Sequence, residues 1–167
     1  FLSLSRLEEG RMEAQPEHFH LETFCRELEE EISPLLKKEQ HLLVSTEHTD
    51  TDVFTDPRFL RNIMINLISN AIKYSGEGKN IHCEARIASG EHLLTIKVID
   101  EGIGIPSQDQ QHLFTRFFRA HNVENIKGTG LGLHIVRRYV DLLGGEIDFT
   151  SSLGKGSTFV VTLPIKR

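Results

Sequence analysis

The stretch Pro57–Tyr74, PRFLRNIMINLISNAIKY, decides the fold of this chain because its pattern predicts a long amphipathic helix. Asp56 and Pro57 are a typical helix start, since Asp caps the first amides and Pro suits the first turn. An α-helix advances about 100° per residue, so Asn70 lies about 40° from Asn66, and Lys73 lies about 20° away on the other side. The neighbouring side of the helix is apolar: Ile63, Met64, Leu67, Ile68 and Ala71. Two side-chain amides and an ammonium therefore form one polar stripe beside the apolar face.

The polar stripe admits two readings. Asparagine is a poor helix former, so two of them at positions i and i+4 beside a core need a reason. One reading is a solvated helix face. The other is a site for a hard cation and phosphates, because amide oxygens suit Mg²⁺ and an ammonium suits phosphate.

The segments on either side of this helix predict a sheet and further helices. Alternating or short apolar runs predict strands at 41–46, 53–54, 81–88, 92–100, 146–151 and 157–163. Helical spacing covers 20–40, with a restart at Pro34, and 130–143, which Gly144 and Gly145 close. Ser89 and Gly90 predict a hairpin turn. Together these elements predict a mixed sheet with helices on one face.

A carboxylate follows the strand at 92–100, in the stretch DEGIGIP of residues 100–106. Leu94, Ile96 and Val98 share one face of that strand, and Asp100 falls on the same side. A carboxylate at the end of an apolar row is costly unless it meets a donor, which a ligand amino group would provide. The alternative is a structural turn in which Asp100 caps local amides.

Two further stretches carry possible phosphate chemistry. LFTRFFR at 113–119 interleaves aromatic and arginine side chains, as in a mobile loop with one arginine aimed at phosphate, a short packed helix or a nucleic-acid surface. GTGLGL at 128–133 runs into a helix, where backbone amides and the helix dipole make an anion site. It lacks the features of a Walker P-loop or a dinucleotide fingerprint. The remaining reading is a flexible linker.

Composition excludes several classes of protein. With 38% hydrophobic and 26% charged residues over 167 positions, the chain suits one folded domain. A net charge of −5 and the lack of long basic runs argue against nucleic acid and acidic lipid. Cys25 and Cys83 form no CxxC pair, and no apolar run approaches the roughly 20 residues that span a bilayer. Because the chain begins at Phe1 without a signal peptide, we expect a fragment of a longer protein.

Taken in order, four stretches resemble a known family. NLISNAIKYS at 66–75, DEGIGIP, LFTRFFR and GTGLGL are similar to the N, first-glycine, phenylalanine and second-glycine boxes of sensor histidine kinases. The closing GKGSTFVVTLP at 154–164 is also similar to that family. The resemblance implies an ATP-binding domain with the superfold of gyrase, mismatch-repair ATPases and heat-shock chaperones. That fold is an α/β (α+β) two-layer sandwich with a mixed, mostly antiparallel sheet and an ATP lid between a sheet strand and the last helix.

The resemblance also implies roles for individual residues. Asn70 would hold Mg²⁺, with Asn66 near the ion and its waters, while Lys73 would reach phosphate and Tyr74 would pack by the nucleotide. Asp100 would accept from the adenine amino group, in a pocket shaped by Gly102 and Gly104, with Thr158 nearby. The lid residues would be Phe114, Phe117 and Arg119, with Arg119 facing phosphate. The amides that meet the phosphates would come from Gly128, Thr129, Gly130, Leu131 and Gly132. Asn66, Lys73 and Arg119 are the expected catalytic residues.

The chain departs from the family in one respect. None of its nine histidines has the acidic residue and Arg-Thr-Pro that accompany a phosphoacceptor histidine. Residues 1–20 instead resemble the end of a dimerisation helix and a linker, and residues 21–167 the catalytic domain. The resemblance implies a cytoplasmic domain of a homodimeric parent protein, and it leaves open whether that parent is anchored in a membrane. An upstream dimerisation and histidine phosphotransfer domain would accept the phosphoryl group, and a response regulator would receive it.

Two other functions remain to be weighed against this one. An ATPase or nucleotide-driven clamp of the same superfold would carry Glu at position 66, because a base must take a proton from water and an amide cannot. The third interpretation is a degenerate regulatory module without catalysis. The presence of Asn70, Asp100 and the glycines of the two glycine boxes argues against it. We expect residues 107–127 to be mobile without nucleotide, as a lid requires.

Overall fold

A five-stranded sheet forms one layer of the domain. The computed structural model describes residues 12–88, 92–114 and 132–166. The strands lie in the order β2 (His41–Glu47), β4 (Asn80–Ile87), β5 (Leu93–Asp100), β7 (Gly156–Pro164) and β6 (Glu146–Ser152). β2 and β4 are parallel and all other neighbours are antiparallel. The predicted mixed, mostly antiparallel sheet is therefore confirmed.

Helices cover one face of this sheet. They are α1 (Leu21–Ile32), followed by a 3₁₀ turn at Ser33–Leu35, then α2 (Pro57–Tyr74), α3 (Ser107–Gln110) and α4 (Gly132–Leu142). α2 begins where predicted, because the Asp56 carboxylate accepts from the amides of Arg58 and Phe59. It packs on α4, with the ring centroids of Phe59 and Tyr139 4.8 Å apart. The apolar side of α2 and alternate residues of β4, β5 and β7 form the core.

A second sheet has two strands, and the sequence predicted only the one around 53–54. β1 (Glu17–His20) pairs antiparallel with β3 (Asp52–Thr55). Beside it, the Gln15 amide donates to the Asp56 carboxylate over 2.8 Å. Part of the stretch expected to be a linker is therefore attached to the start of α2, while residues 1–11 lie outside the described ranges. The division of the chain at residue 20 stays a prediction.

The two cysteines lie inside the core as free thiols. Burial raises the pKa of Cys25 to about 11 and that of Cys83 to about 12, so both remain protonated at neutral pH. Every helix in the described ranges is too short or too polar to traverse a lipid bilayer.

Candidate nucleotide site

The end of β5 presents a carboxylate as predicted. Leu94, Ile96 and Val98 are buried on the helix-facing side, and Asp100 continues that row. Its Oδ1 accepts from the Gly102 amide at 2.9 Å and from the Ser157 amide at 3.3 Å. Within the described ranges, Oδ2 has no hydrogen-bond donor. One oxygen is thus fixed by the backbone and the other is available to a ligand.

The surroundings of Asp100 favour an incoming donor. Burial raises the pKa of its carboxyl above the ordinary value, and the amides of Gly102 and Ser157 oppose this only in part. A half-buried carboxylate with an unused acceptor is stabilised when a ligand supplies an N–H group. The site is therefore suited to an amino group rather than a carbonyl.

The two glycines after Asp100 have no room for side chains. A Cβ on Gly102 would lie 2.6 Å from the Tyr74 carbonyl oxygen. Gly104 has φ +72°, and a Cβ there would collide with the Ser152 carbonyl. Both glycines are thus required for the turn to approach α2 and β6 closely.

Ser157 lies beside Asp100 and was missed by sequence reasoning. It pairs with Asp100 across β5 and β7, so both side chains point to the same face. Its hydroxyl is 2.8 Å from that of Ser151, which accepts from the Ile105 amide at 2.8 Å. Phe159, Val161 and Leu163 are buried on this face, and counting back in twos from them would have selected Ser157.

Thr158 occupies the opposite face of the sheet. It pairs with Ile99, whose side chain alternates away from that of Asp100. The structure therefore does not bring Thr158 to the other predicted residues. The sequence-based choice was one residue from the position that faces the carboxylate.

The polar stripe of α2 meets the first residue of α4. A Cβ on Gly132 would lie 3.5 Å from Asn70 Nδ2 and 3.6 Å from Asn66 Oδ1. Asn66 Nδ2 donates to the Asn62 carbonyl at 2.7 Å, which leaves its Oδ1 toward Gly132. The first amides of a helix have no partner within it and favour anions. We call this juxtaposition of Asn66, Asn70 and Gly132 the amide face.

The end of α2 joins the amide face to the carboxylate. The Ile103 amide, within the glycine turn, donates to the Tyr74 carbonyl over 3.2 Å. Lys73 precedes Tyr74, and its ammonium has no hydrogen bond or ion pair to a residue in 12–88, 92–114 or 132–166. The structure therefore brings Asn66, Asn70 and Gly132 together, and the Tyr74 carbonyl links the end of their helix to the turn that follows Asp100.

The predicted lid is described only at its beginning. The Phe114 ring packs edge-on against Phe149, with centroids 5.9 Å apart, and the Arg137 guanidinium lies 5.5 Å from its centre. Phe114 is therefore an anchor in the structure. The other predicted lid residues lie outside the described ranges: Phe117, Arg119, Gly128, Thr129, Gly130 and Leu131.

The amide face fits a magnesium ion that is shared with phosphates. No cluster of three acidic, histidine or cysteine side chains able to hold a metal occurs in the described part of the chain. The Asn70 side chain has no hydrogen-bond partner there, so its oxygen is available. Mg²⁺ is commonly held by few protein oxygens together with substrate phosphates. The donor set is consistent with that arrangement.

Comparison with known proteins decides the family. Residues 55–167 match the family of histidine kinase-, DNA gyrase B- and HSP90-like ATPases. The chain belongs to this ATPase family. It is 41% identical over 136 residues to the sensor histidine kinase WalK of Bacillus subtilis, covering 79% of this chain and 22% of WalK.

Solved structures agree with this assignment. Full-length ShkA in complex with AMPPNP superimposes with a TM-score of 0.84 at 25% identity, covering 99% of this chain and 34% of ShkA. ThkA in complex with the response regulator TrrA has the same fold, with a TM-score of 0.75 at 23% identity over 98% of this chain and 46% of that one. The chain spans about a fifth of the length of the curated relatives it matches. The curated relative WalK is a sensor histidine kinase that contains a domain similar to this chain.

Substitution of two neighbouring hydroxyl residues tests where the adenine base would bind in this ATPase-family domain. Ser157→Ala should weaken ATP binding by about threefold to tenfold, as expected when one hydrogen-bonding group beside the ligand is lost. Thr158→Val should change the affinity by less than about twofold, because that side chain lies on the other face. Calorimetric titration of both variants measures the difference. A larger loss from Thr158→Val would show that the base lies elsewhere.

Proposed function

We propose that this domain binds Mg·ATP and transfers the γ-phosphoryl group to a histidine in another domain of its parent protein. The observation that carries the proposal is Asn66 in the amide face. A side-chain amide cannot take a proton from water, so this position does not supply the base that hydrolysis needs. The site is therefore suited to positioning a phosphoryl group for transfer rather than for hydrolysis.

The residues of the carboxylate end would select and hold the base. Asp100 Oδ2 accepts from the adenine amino group, and Oδ1 keeps its bonds to the backbone. Gly102 and Gly104 let the base approach the turn, and Tyr74 packs beside it. Ser157 supports the carboxylate from β7.

The residues of the amide face would hold the phosphates. Asn70 would supply an oxygen to Mg²⁺, and Asn66 would lie near the ion and its waters. When bound, the ion neutralises charge on the phosphate oxygens. Lys73 and the first amides of α4 act on the same charge, so catalysis rests on positioning and electrostatics. Arg119 and the glycines from 128 onward would complete the lid over the phosphates.

The partners of the domain follow from the same reaction. The phosphoryl acceptor would be a histidine of an upstream dimerisation domain, with residues 1–20 as the end of its helix and the linker. The parent protein would be a homodimer that passes the group to an aspartate of a response regulator. The complex of ThkA with its response regulator TrrA supports this, because the two folds agree.

Labelled ATP distinguishes transfer from hydrolysis. The chain alone, incubated with Mg²⁺ and γ-labelled ATP, should remain unlabelled because its histidines lack the acceptor setting. Added histidine-bearing domain from the parent protein should gain acid-labile phosphate. Stoichiometric acid-labile phosphate on this chain would contradict the proposal. Release of inorganic phosphate without labelled acceptor would instead favour the ATPase or clamp.

A further inference from the structure

The last turn of α2 is held from outside the helix. The last four carbonyls of an α-helix have no partner within it. Here the Lys37 ammonium donates to the carbonyls of Lys73, at 2.9 Å, and Ser75, at 2.8 Å. The Gln40 side chain donates to three carbonyls, those of Ile72 (3.3 Å), Ser75 (3.3 Å) and Gly76 (3.5 Å). Two side chains from the loop before β2 therefore bind four carbonyls between positions 72 and 76.

These donors belong to a turn that is itself well fixed. The Gln40 amide donates to the Lys37 carbonyl at 3.0 Å, and the Lys37 amide donates to Gln40 Oε1 at 2.9 Å. Glu39, inside the turn, adopts φ +57°, which non-glycine residues rarely do. Gln40 is only 4% exposed. The turn thus presents the buried Gln40 side chain and the exposed Lys37 ammonium to the end of α2.

Between positions 72 and 76, only the Tyr74 carbonyl accepts no hydrogen bond from Lys37 or Gln40. That oxygen accepts from the Ile103 amide, and it is the atom against which Gly102 is packed. Gly102 in turn donates its amide to Asp100. A shift of the end of α2 would therefore move the glycine turn, which connects the Asp100 carboxylate to the helix that carries the amide face.

The same contacts account for the availability of Lys73. A helix C-terminus attracts a cation, and a lysine in the last turn usually serves that end. The Lys37 ammonium supplies this cation from another part of the chain, and it donates to the backbone carbonyl of Lys73 itself. The Lys73 ammonium is therefore left for a ligand.

We propose that Lys37 and Gln40 are positioning residues for nucleotide binding, which they promote by fixing the end of α2 against the glycine turn. This inference rests on the proposed nucleotide site. It predicts that removing the Lys37 donors weakens binding of the base and of the whole nucleotide alike. Loss of a residue that touches phosphate, such as Lys73, should weaken ATP binding more than adenosine binding.

The test uses the 167-residue chain with three substitutions of matched size or charge. Lys37→Met keeps the aliphatic stem and removes the donors, and Lys37→Arg keeps donors. Lys38→Met makes the same charge change at the next residue, whose exposed side chain makes no contact with α2 within the described ranges. Lys37→Gln, which retains a shorter donor, replaces Lys37→Met if the latter does not fold. Thermal unfolding of each variant sets a working temperature at which all are folded.

Two readouts are measured by nuclear magnetic resonance: dissociation constants for Mg·ATP and adenosine, and hydrogen exchange of the Ile103 amide without ligand. Lys37→Met removes two charged hydrogen bonds at the helix end and should raise both dissociation constants by about tenfold. It should also speed Ile103 exchange. Lys37→Arg should recover most of the affinity. Lys38→Met should have the dissociation constants and the Ile103 exchange of the unsubstituted chain.

The outcomes separate this inference from the proposed function. If Lys37→Met lowers only the melting temperature and leaves both constants and Ile103 exchange unchanged, Lys37 is a structural cap and the inference is wrong. If the unsubstituted 167-residue chain binds no nucleotide, the proposed function fails. In that case Ile103 exchange still decides whether Lys37 holds the helix end against the turn.

Discussion

Asp100→Asn should weaken ATP binding by roughly 30-fold to 1000-fold without lowering the stability of the domain. The substitution keeps an oxygen for the amides of Gly102 and Ser157, so the turn is preserved. It removes the charge and turns an N–H toward the adenine amino group. Losing a charge-assisted hydrogen bond and leaving a buried donor unpaired costs about 2–4 kcal/mol. The same change should reduce discrimination against GTP, whose base offers a carbonyl at that position.

The expected stability follows from the titration of Asp100. Burial raises the pKa of this carboxyl above the value in the unfolded chain. The folded state therefore favours the protonated form, and the ionised group costs stability once the pH rises through its raised pKa. Asn carries no charge, so Asp100→Asn should unfold at the same temperature as the parent or a higher one at neutral pH. The ATP affinity of the unsubstituted chain should fall as the pH is lowered through the raised pKa of Asp100.

Calorimetric titration with ATP and GTP, alongside thermal unfolding, measures both effects. Glu101→Gln is the matched control, because it removes a charge from the exposed neighbouring side chain. A purely structural Asp100 would give a less stable variant whose folded fraction binds ATP like the parent. That result would remove the adenine assignment.

Asn70→Ala should reduce phosphoryl transfer to the acceptor domain by about 100-fold or more, comparable to loss of an electrostatic stabiliser in other active sites. The substitution deletes the oxygen proposed for Mg²⁺ while leaving α2 intact, since Ala favours helices. The initial rate of labelling is measured over a range of Mg²⁺ concentrations. The variant should require more Mg²⁺ than the parent to reach half of its maximal rate.

Asn62→Ala provides the control on the same helix. Its side chain donates only to the Arg58 carbonyl among the described residues, and its own carbonyl, which holds Asn66, remains. Transfer by this variant should stay within about threefold of the parent, as for most surface changes away from a site. Asn70→Ala with the parent's rate and Mg²⁺ dependence would rule out Asn70 as the metal ligand.

The sequence predicted those parts of the site that depend on local pattern. The helix Pro57–Tyr74 was predicted with both its ends, because Asp56 caps it and its apolar period is long and unbroken. Asp100 was placed on the buried side of β5 by simple alternation with Leu94, Ile96 and Val98. The same rule applied to β7 selects Ser157, so the choice of Thr158 came from the motif rather than from the strand.

Other features depend on contacts between distant parts of the chain. β1 has four residues, and only its pairing with β3 makes it a strand. Lys37 and Gln40 lie in the stretch 20–40 that was predicted as helical, but the helix ends at Ile32 and the 3₁₀ turn at Leu35. Their partners are backbone carbonyls more than 30 positions away. Backbone acceptors leave no mark on the sequence. Such contacts appear only once the helices and strands are assembled.

A titration of the isotopically labelled chain with Mg·ATP shows directly whether the nucleotide occupies the proposed site. We expect saturable binding of one nucleotide, with the largest amide shifts in residues 66–74 and 100–105 and at Gly132. Mg·GTP at the same concentrations should give much smaller shifts. Absence of saturable binding, or shifts confined to the opposite face of the sheet around Thr158, would contradict the assignment of the site.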